Sequence, residues 1–270
     1  MASLLEEYRA PLARAPLSPE SRRTYLSKVR QFLAWLGAAA LDGDPLADAA
    51  ARDWAVRDYR SHLQVVAKAA PATVNGAVAA VDDFYARRGL GPARAERVEL
   101  PRQAPRALDK RASLRLLRAV EAHLAPRNRA LVGVLFYAGA RISEAVRLDV
   151  DDVRLSARKG TLRLLGKGGK VREVPVHAQL RTDLALWLEE RPNWPNPDGT
   201  SALFLNQRGE RLSVRGASDL VAAIAEAAGL DDETTAHILR HTFATTLVRG
   251  GADLVLVAEL LGHARLETTR

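Results

Sequence analysis

Residues 160–176 read GTLRLLGKGGKVREVPV. Thr161–Leu165 and Val171–Val176 are apolar runs of strand length, and they flank Gly166-Lys167-Gly168-Gly169-Lys170, a glycine-rich tip. That combination predicts a β-hairpin. Elsewhere apolar residues recur at helical spacing, so the fold class is mainly α with one small β-sheet, confined to the C-terminal part.

Upstream of the hairpin, Ser113–Glu121 and Pro126–Ala138 are predicted as helices, and Gly139-Ala140-Arg141-Ile142-Ser143-Glu144 opens a further turn. Downstream, helices are predicted over Gln179–Glu190, over Ser213–Ala228 and from Thr235 onward, where Leu247, Leu254, Val257, Leu260 and Leu261 supply core positions. Further out, residues 89–107 read GLGPARAERVELPRQAPRA, with three prolines, two glycines and four arginines. They have no apolar period and read as a basic linker. The N-terminal part is helical over Leu17–Gly37, with Ser18 as N-cap and Pro19 as first helical residue, then over Ala49–Ala67 and Thr73–Arg88. The expected organisation is a helical domain over 1–90, a linker over 91–106 and a second domain over 107–270.

Composition narrows the function. The 270 residues are 47% hydrophobic, enough for sizeable cores, and carry 40 Lys+Arg against 32 Asp+Glu, a formal charge of +8. The excess is spread, with 15 basic and 12 acidic residues in 1–105 and 25 and 20 in 106–270. A positive face on each part suits a nucleic-acid partner. The absence of cysteine excludes a disulfide scaffold, a thiolate metal site and a cysteine nucleophile, and fits a reducing compartment. Acidic residues follow Met1, where a signal peptide needs a basic region, and no apolar run approaches membrane-spanning length. A cytoplasmic protein without membrane association is expected.

Four motifs carry chemistry, and each alone admits a plain structural reading. Arg141 follows an apolar helix beside a glycine that lets a ligand reach the backbone, though an ordinary Arg–Glu capping pair uses the same residues. Lys167 would hold an ammonium on a narrow turn able to enter a groove, or simply a solvated turn; neither Ser nor Thr follows it, so it is not a P-loop. His237-Ile238-Leu239-Arg240-His241 places an imidazole and a guanidinium within one helical turn, and Ile238 stands where a metalloprotease motif requires Glu. Leu260-Leu261-Gly262-His263 puts a histidine past a helix end, where it would also serve as a cap.

In chain order, Arg141, Lys167, His237-x-x-Arg240 and Leu-Gly-His263 resemble the tyrosine recombinase (lambda integrase, Xer-like) family over nearly the whole chain. The resemblance implies a SAM-like core-binding domain followed by an α+β catalytic domain. It implies DNA cleavage and rejoining through a 3′-phosphotyrosyl intermediate, without metal or cofactor, on double-stranded DNA and with other protomers in a tetrameric synapse. By the same resemblance Arg141 and Arg240 hold the phosphate, Lys167 is general acid, His237 is general base or relay, His263 bonds a non-bridging oxygen and Glu144 orients its neighbours. Expected duplex contacts are Arg22, Arg23, Lys28 and Arg30 on the first predicted helix and Arg94, Arg97, Arg102 and Arg106 in the linker.

The family's nucleophilic tyrosine would fall two positions beyond Arg270. Tyr8, Tyr25, Tyr59, Tyr85 and Tyr137 lie in predicted apolar faces or the N-terminal segment, so the chain is expected to be a fragment that binds DNA without cleaving it. The alternative is a non-catalytic DNA-binding or recombination-control protein with a degenerate recombinase fold, against which the intact catalytic set weighs. A type IB topoisomerase shares the chemistry but fits the N-terminal helical domain and Leu-Gly-His less well. The early start of the helical domain favours a simple Xer-like arrangement over one with an added arm-binding domain.

Overall fold

The structure, a computed structural model, describes residues 2–100, 106–196, 198–231 and 234–262, without the side chains of Ala2 and Lys167. The chain divides into two compact units, residues 1–102 and 103–270.

The first unit is built from α1 (Ala2–Ala13), α2 (Pro19–Ala38), α3 (Ala49–Val65) and α4 (Pro71–Arg87). Local chemistry starts each of the last three: the Ser18 hydroxyl accepts from the Ser21 N–H at 3.0 Å, Asp48 caps Ala51 at 2.7 Å, and Pro71 opens α4. The first helix, α1, was not predicted, since Pro11 lies inside it. Tertiary contacts hold it instead: Tyr8 and Leu12 are buried, and the Tyr8 hydroxyl donates to Asp83 at 2.7 Å. Phe32, Tyr59, Phe84 and Tyr85 form the aromatic centre of this core, with Phe32 edge-on to Tyr59 and Tyr85.

The stretch expected to be a linker is fastened to this unit over residues 90–98. Buried Arg52 donates to the carbonyls of Leu90 and Gly91, and Asp53 accepts from the Arg94 N–H. Asn75 brackets Val98 with two hydrogen bonds of 2.8 Å, one to its carbonyl and one from its N–H.

The second unit contains α5 (Lys110–Ala122), α6 (Pro126–Tyr137), α7 (Ile142–Ala145), β1 (Val153–Leu155), β2 (Gly160–Leu165), β3 (Val171–Pro175), α8 (Ala178–Glu190), α9 (Val214–Ala227), α10 (Ala236–Arg249) and α11 (Leu254–Leu261). The six consecutive residues Ala130–Leu135 of α6 are all buried, the signature of a central helix, and α8 and α10 pack against it. The predicted hairpin is β2–β3, and β1 adds a third antiparallel strand in the order β1-β2-β3. Its tip is a 3₁₀ turn over Lys167–Gly169, closed by the Gly166 N–H donating to the Lys170 carbonyl at 2.8 Å. Gly168 and Gly169 have φ of +74° and +78°, which is why glycines occupy them.

Candidate active site

The centre of the arrangement is one carboxylate. Glu144, on α7, is 4% exposed. It accepts from the Arg141 backbone N–H at 2.8 Å and from Arg141 Nη1 at 2.7 Å. From across the sheet Arg172 donates both terminal nitrogens, at 3.1 and 2.7 Å, a bidentate pair. Nη1 of Arg240, on α10, stands 3.8 Å from the same carboxylate. Burial pushes the Glu144 carboxyl up, but the Arg172 and Arg141 bonds outweigh it and hold the group below the usual carboxylate range.

Arg240 is tied to two distant turns. Its Nη1 donates to the Gly139 carbonyl at 2.6 Å and its Nη2 to the Leu261 carbonyl at the end of α11. Burial, aided by the like charge of Arg141, pushes its pKa down to about 10, so it stays charged at neutral pH. Gly139 permits this geometry: its φ is +58°, and a Cβ there would stand 2.3 Å from Cδ1 of Phe243. Arg172 in turn donates Nε to the Leu260 carbonyl at 2.7 Å. Gly262 caps α11 at φ +65°, where a Cβ would meet Arg172 Nη1 at 2.9 Å. The glycine of Leu-Gly-His is therefore required by both its backbone and its neighbour.

One turn before Arg240 and beside it on α10, His237 and His241 meet with their Nε2 atoms 2.8 Å apart and their rings near perpendicular. His237 is exposed; burial, then His237 and Arg240, hold His241 below the usual histidine range.

The structure thus brings together Arg141, Glu144 and Arg240. The backbone of Lys167 follows directly on Gly166, where a Cβ would lie 3.6 Å from both Arg172 Nη1 and Glu144 Oε1. His263 and Arg102 lie outside the described residues. Sequence reasoning missed Arg172 and the pairing of His241. A signal for Arg172 existed, since it shares the strand phase of buried Val174 and so places a guanidinium on the inward face.

Of the expected duplex contacts, Arg23, Arg30 and Arg94 are exposed, as are Arg97 and Arg106. Four are engaged within their own units, the last two while still exposed: Arg22 donates to the Ala15 carbonyl, Lys28 to that of Thr73, Arg97 pairs with Asp82, and Arg106 pairs with Asp231.

A helical unit is thus followed by an α+β unit whose arginines converge on one buried carboxylate. The sequence matches the phage integrase family over residues 106–270 and the phage integrase N-terminal SAM-like domain over 4–89, and the chain belongs to this family, the tyrosine recombinases. It is similar to tyrosine recombinase XerC of Mycobacterium leprae, 35% identical over 99% of this chain and 93% of the relative. It is similar also to tyrosine recombinase XerD of Mycobacterium tuberculosis, 43% identical over 72% of this chain and 66% of the relative, just under two thirds of that protein's length. Among solved structures, XerH site-specific recombinase bound to difH substrate in a pre-cleavage complex superposes with a TM-score of 0.72 at 27% identity, covering 92% of this chain and 74% of that one.

Proposed function

We propose that this chain is a site-specific DNA recombinase of the Xer type, acting on duplex DNA in the cytoplasm and assembling with other protomers on it. The observation that carries this reading is the sharing of Glu144 by Arg141, Arg172 and Arg240: three guanidiniums to one carboxylate leave a fixed positive site matched to a phosphate.

Transesterification at a phosphodiester concentrates negative charge on the non-bridging oxygens of a pentacoordinate transition state, and preorganised guanidiniums stabilise that charge without reorganising. Arg141, whose side chain is 40% exposed, presents its planar fork to the phosphate; Arg240 lies deeper, held by the Gly139 and Leu261 carbonyls. His237 takes the proton of the attacking tyrosine. Lys167 gives one to the departing 5′ oxygen, and His263 bonds a non-bridging oxygen. Glu144 sets the register of the arginines. Tyr8, Tyr59 and Tyr85 are buried in the core of the first unit, Tyr25 packs partly buried against that core, and Tyr137 stacks on His177, so this reading takes its nucleophile from outside residues 1–270.

The test is covalent capture of a nicked duplex by a version extended to place a tyrosine two positions past Arg270. Capture is expected, and Arg240→Ala should lower it by about 10²–10³-fold or more while duplex affinity changes only a few-fold. Arg240→Lys, which keeps the charge but not the fork, serves where the alanine variant misfolds, and should also fall steeply. Full cleavage by the folded lysine variant would sink the reading.

A further inference from the structure

We propose that His241 is a positioning residue for His237: its Nε2 accepts a hydrogen bond from the Nε2–H of His237, leaving Nδ1 of His237 as the atom that takes the tyrosine proton. This rests on the reading of His237 as the base.

The geometry comes first. The two rings belong to neighbouring turns of α10, their Nε2 atoms are 2.8 Å apart, and their planes cross at 89° with centroids 4.3 Å apart. Two neutral imidazoles at that distance share one proton between the facing nitrogens, so one ring donates and the other accepts. Were His237 the acceptor, its Nε2 lone pair would be occupied and its proton would sit on Nδ1. No basic nitrogen would then face the substrate. The opposite assignment leaves Nδ1 unprotonated and fixes the tautomer.

The surroundings keep His241 in the accepting form. Partial burial disfavours its cation, and so do the charges of His237 and Arg240 on the same helix. Among the described residues, α6 and α11, the helices packed most closely on α10, add no charged group acting on it. In the reaction the tyrosine proton passes to Nδ1 of His237 while the phenolate oxygen bonds phosphorus. The bond to the 5′ oxygen breaks, and that oxygen leaves with a proton from Lys167. The resulting His237 imidazolium keeps its Nε2–H on His241, and the bond strengthens because its donor is now charged. His241 thus serves as the orienting partner of a base, a role met elsewhere by a carboxylate.

Nitrogen-resolved NMR of the 270-residue chain with labelled histidine tests this without cleavage. His237 should carry its proton on Nε2 and His241 should show an unprotonated Nε2. In His241→Phe the His237 tautomer preference should be lost. His241→Gln, which places an amide oxygen near the lost acceptor, should restore it. In the tyrosine-extended version His241→Phe should cleave about 10- to 100-fold more slowly, with the acidic limb of the pH–rate profile moved to lower pH. A His237 proton found on Nδ1, or a His237 tautomer indifferent to His241→Phe, overturns the proposal. Undiminished cleavage by His237→Ala would instead sink the underlying assignment of the base, whatever the NMR result.

Discussion

Gly139 shows how much of the centre hangs on single residues. Its left-handed backbone aims a carbonyl at Arg240 in space that Phe243 leaves to a glycine alone. Gly139→Ala combines a left-handed backbone cost with an overpacking cost, so it should destabilise the second unit by about 2–4 kcal/mol, read as a lower urea midpoint. Arg172→Gln tests the carboxylate. Because the folded pKa of Glu144 lies below its unfolded value, its contribution to stability is complete above that unfolded value, about 4.3. It is lost as pH falls through the folded value. The variant weakens the cause of the shift, so it should be clearly less stable than the parent at neutral pH, with the gap narrowing as pH falls below that unfolded value in parallel urea titrations. Arg141, Glu144 and Arg240 were legible as sequence because each sits in a short local pattern. Arg172 was not singled out: its strand phase marks an inward face, but its partners lie 28 and 88 residues away and nothing local names them.

Elements were legible where local chemistry starts or stops them. Ser18 and Pro19 at α2, Pro126 at α6 and the glycines of the hairpin tip announce their elements directly. The three-residue strand β1 is too short to show a period, and α1 exists because Tyr8 and Leu12 pack on the other helices. The segment after α4 escaped for a related reason. Its composition is that of a linker, but its backbone is bound by side chains of α3 and α4, above all Asn75. Asn75→Ala removes both bonds to Val98. Amide hydrogen exchange over residues 93–98 should then accelerate, while the core of α2 and α4 keeps its protection. Unchanged exchange in that segment would show that the bonds from Asp53, Asp82, Arg57 and Arg60 suffice to hold it.

For the whole molecule, a charge of +8 predicts duplex binding that weakens steeply with salt, and the ion pairs within each unit say which arginines to test against which. Replacing Arg23, Arg30 or Arg94 by Gln should reduce the log–log salt slope, by about 0.9 for each phosphate contact removed. Replacing Arg97, which spans Asn75 and Asp82, should mainly lower the stability of the first unit. Fluorescence anisotropy at several salt concentrations, with thermal melts alongside, distinguishes the two outcomes. The two carbonyls that seat Arg240 also set an order on biosynthesis. One lies 101 residues before it and the other 21 residues after it. On a ribosome, Gly139 is released long before Arg240, yet Arg240 has its second seat only after the end of α11 has been released. A half-made chain therefore carries Arg141 and Glu144 without the second seat of Arg240, so the cationic centre is completed last, by the end of α11.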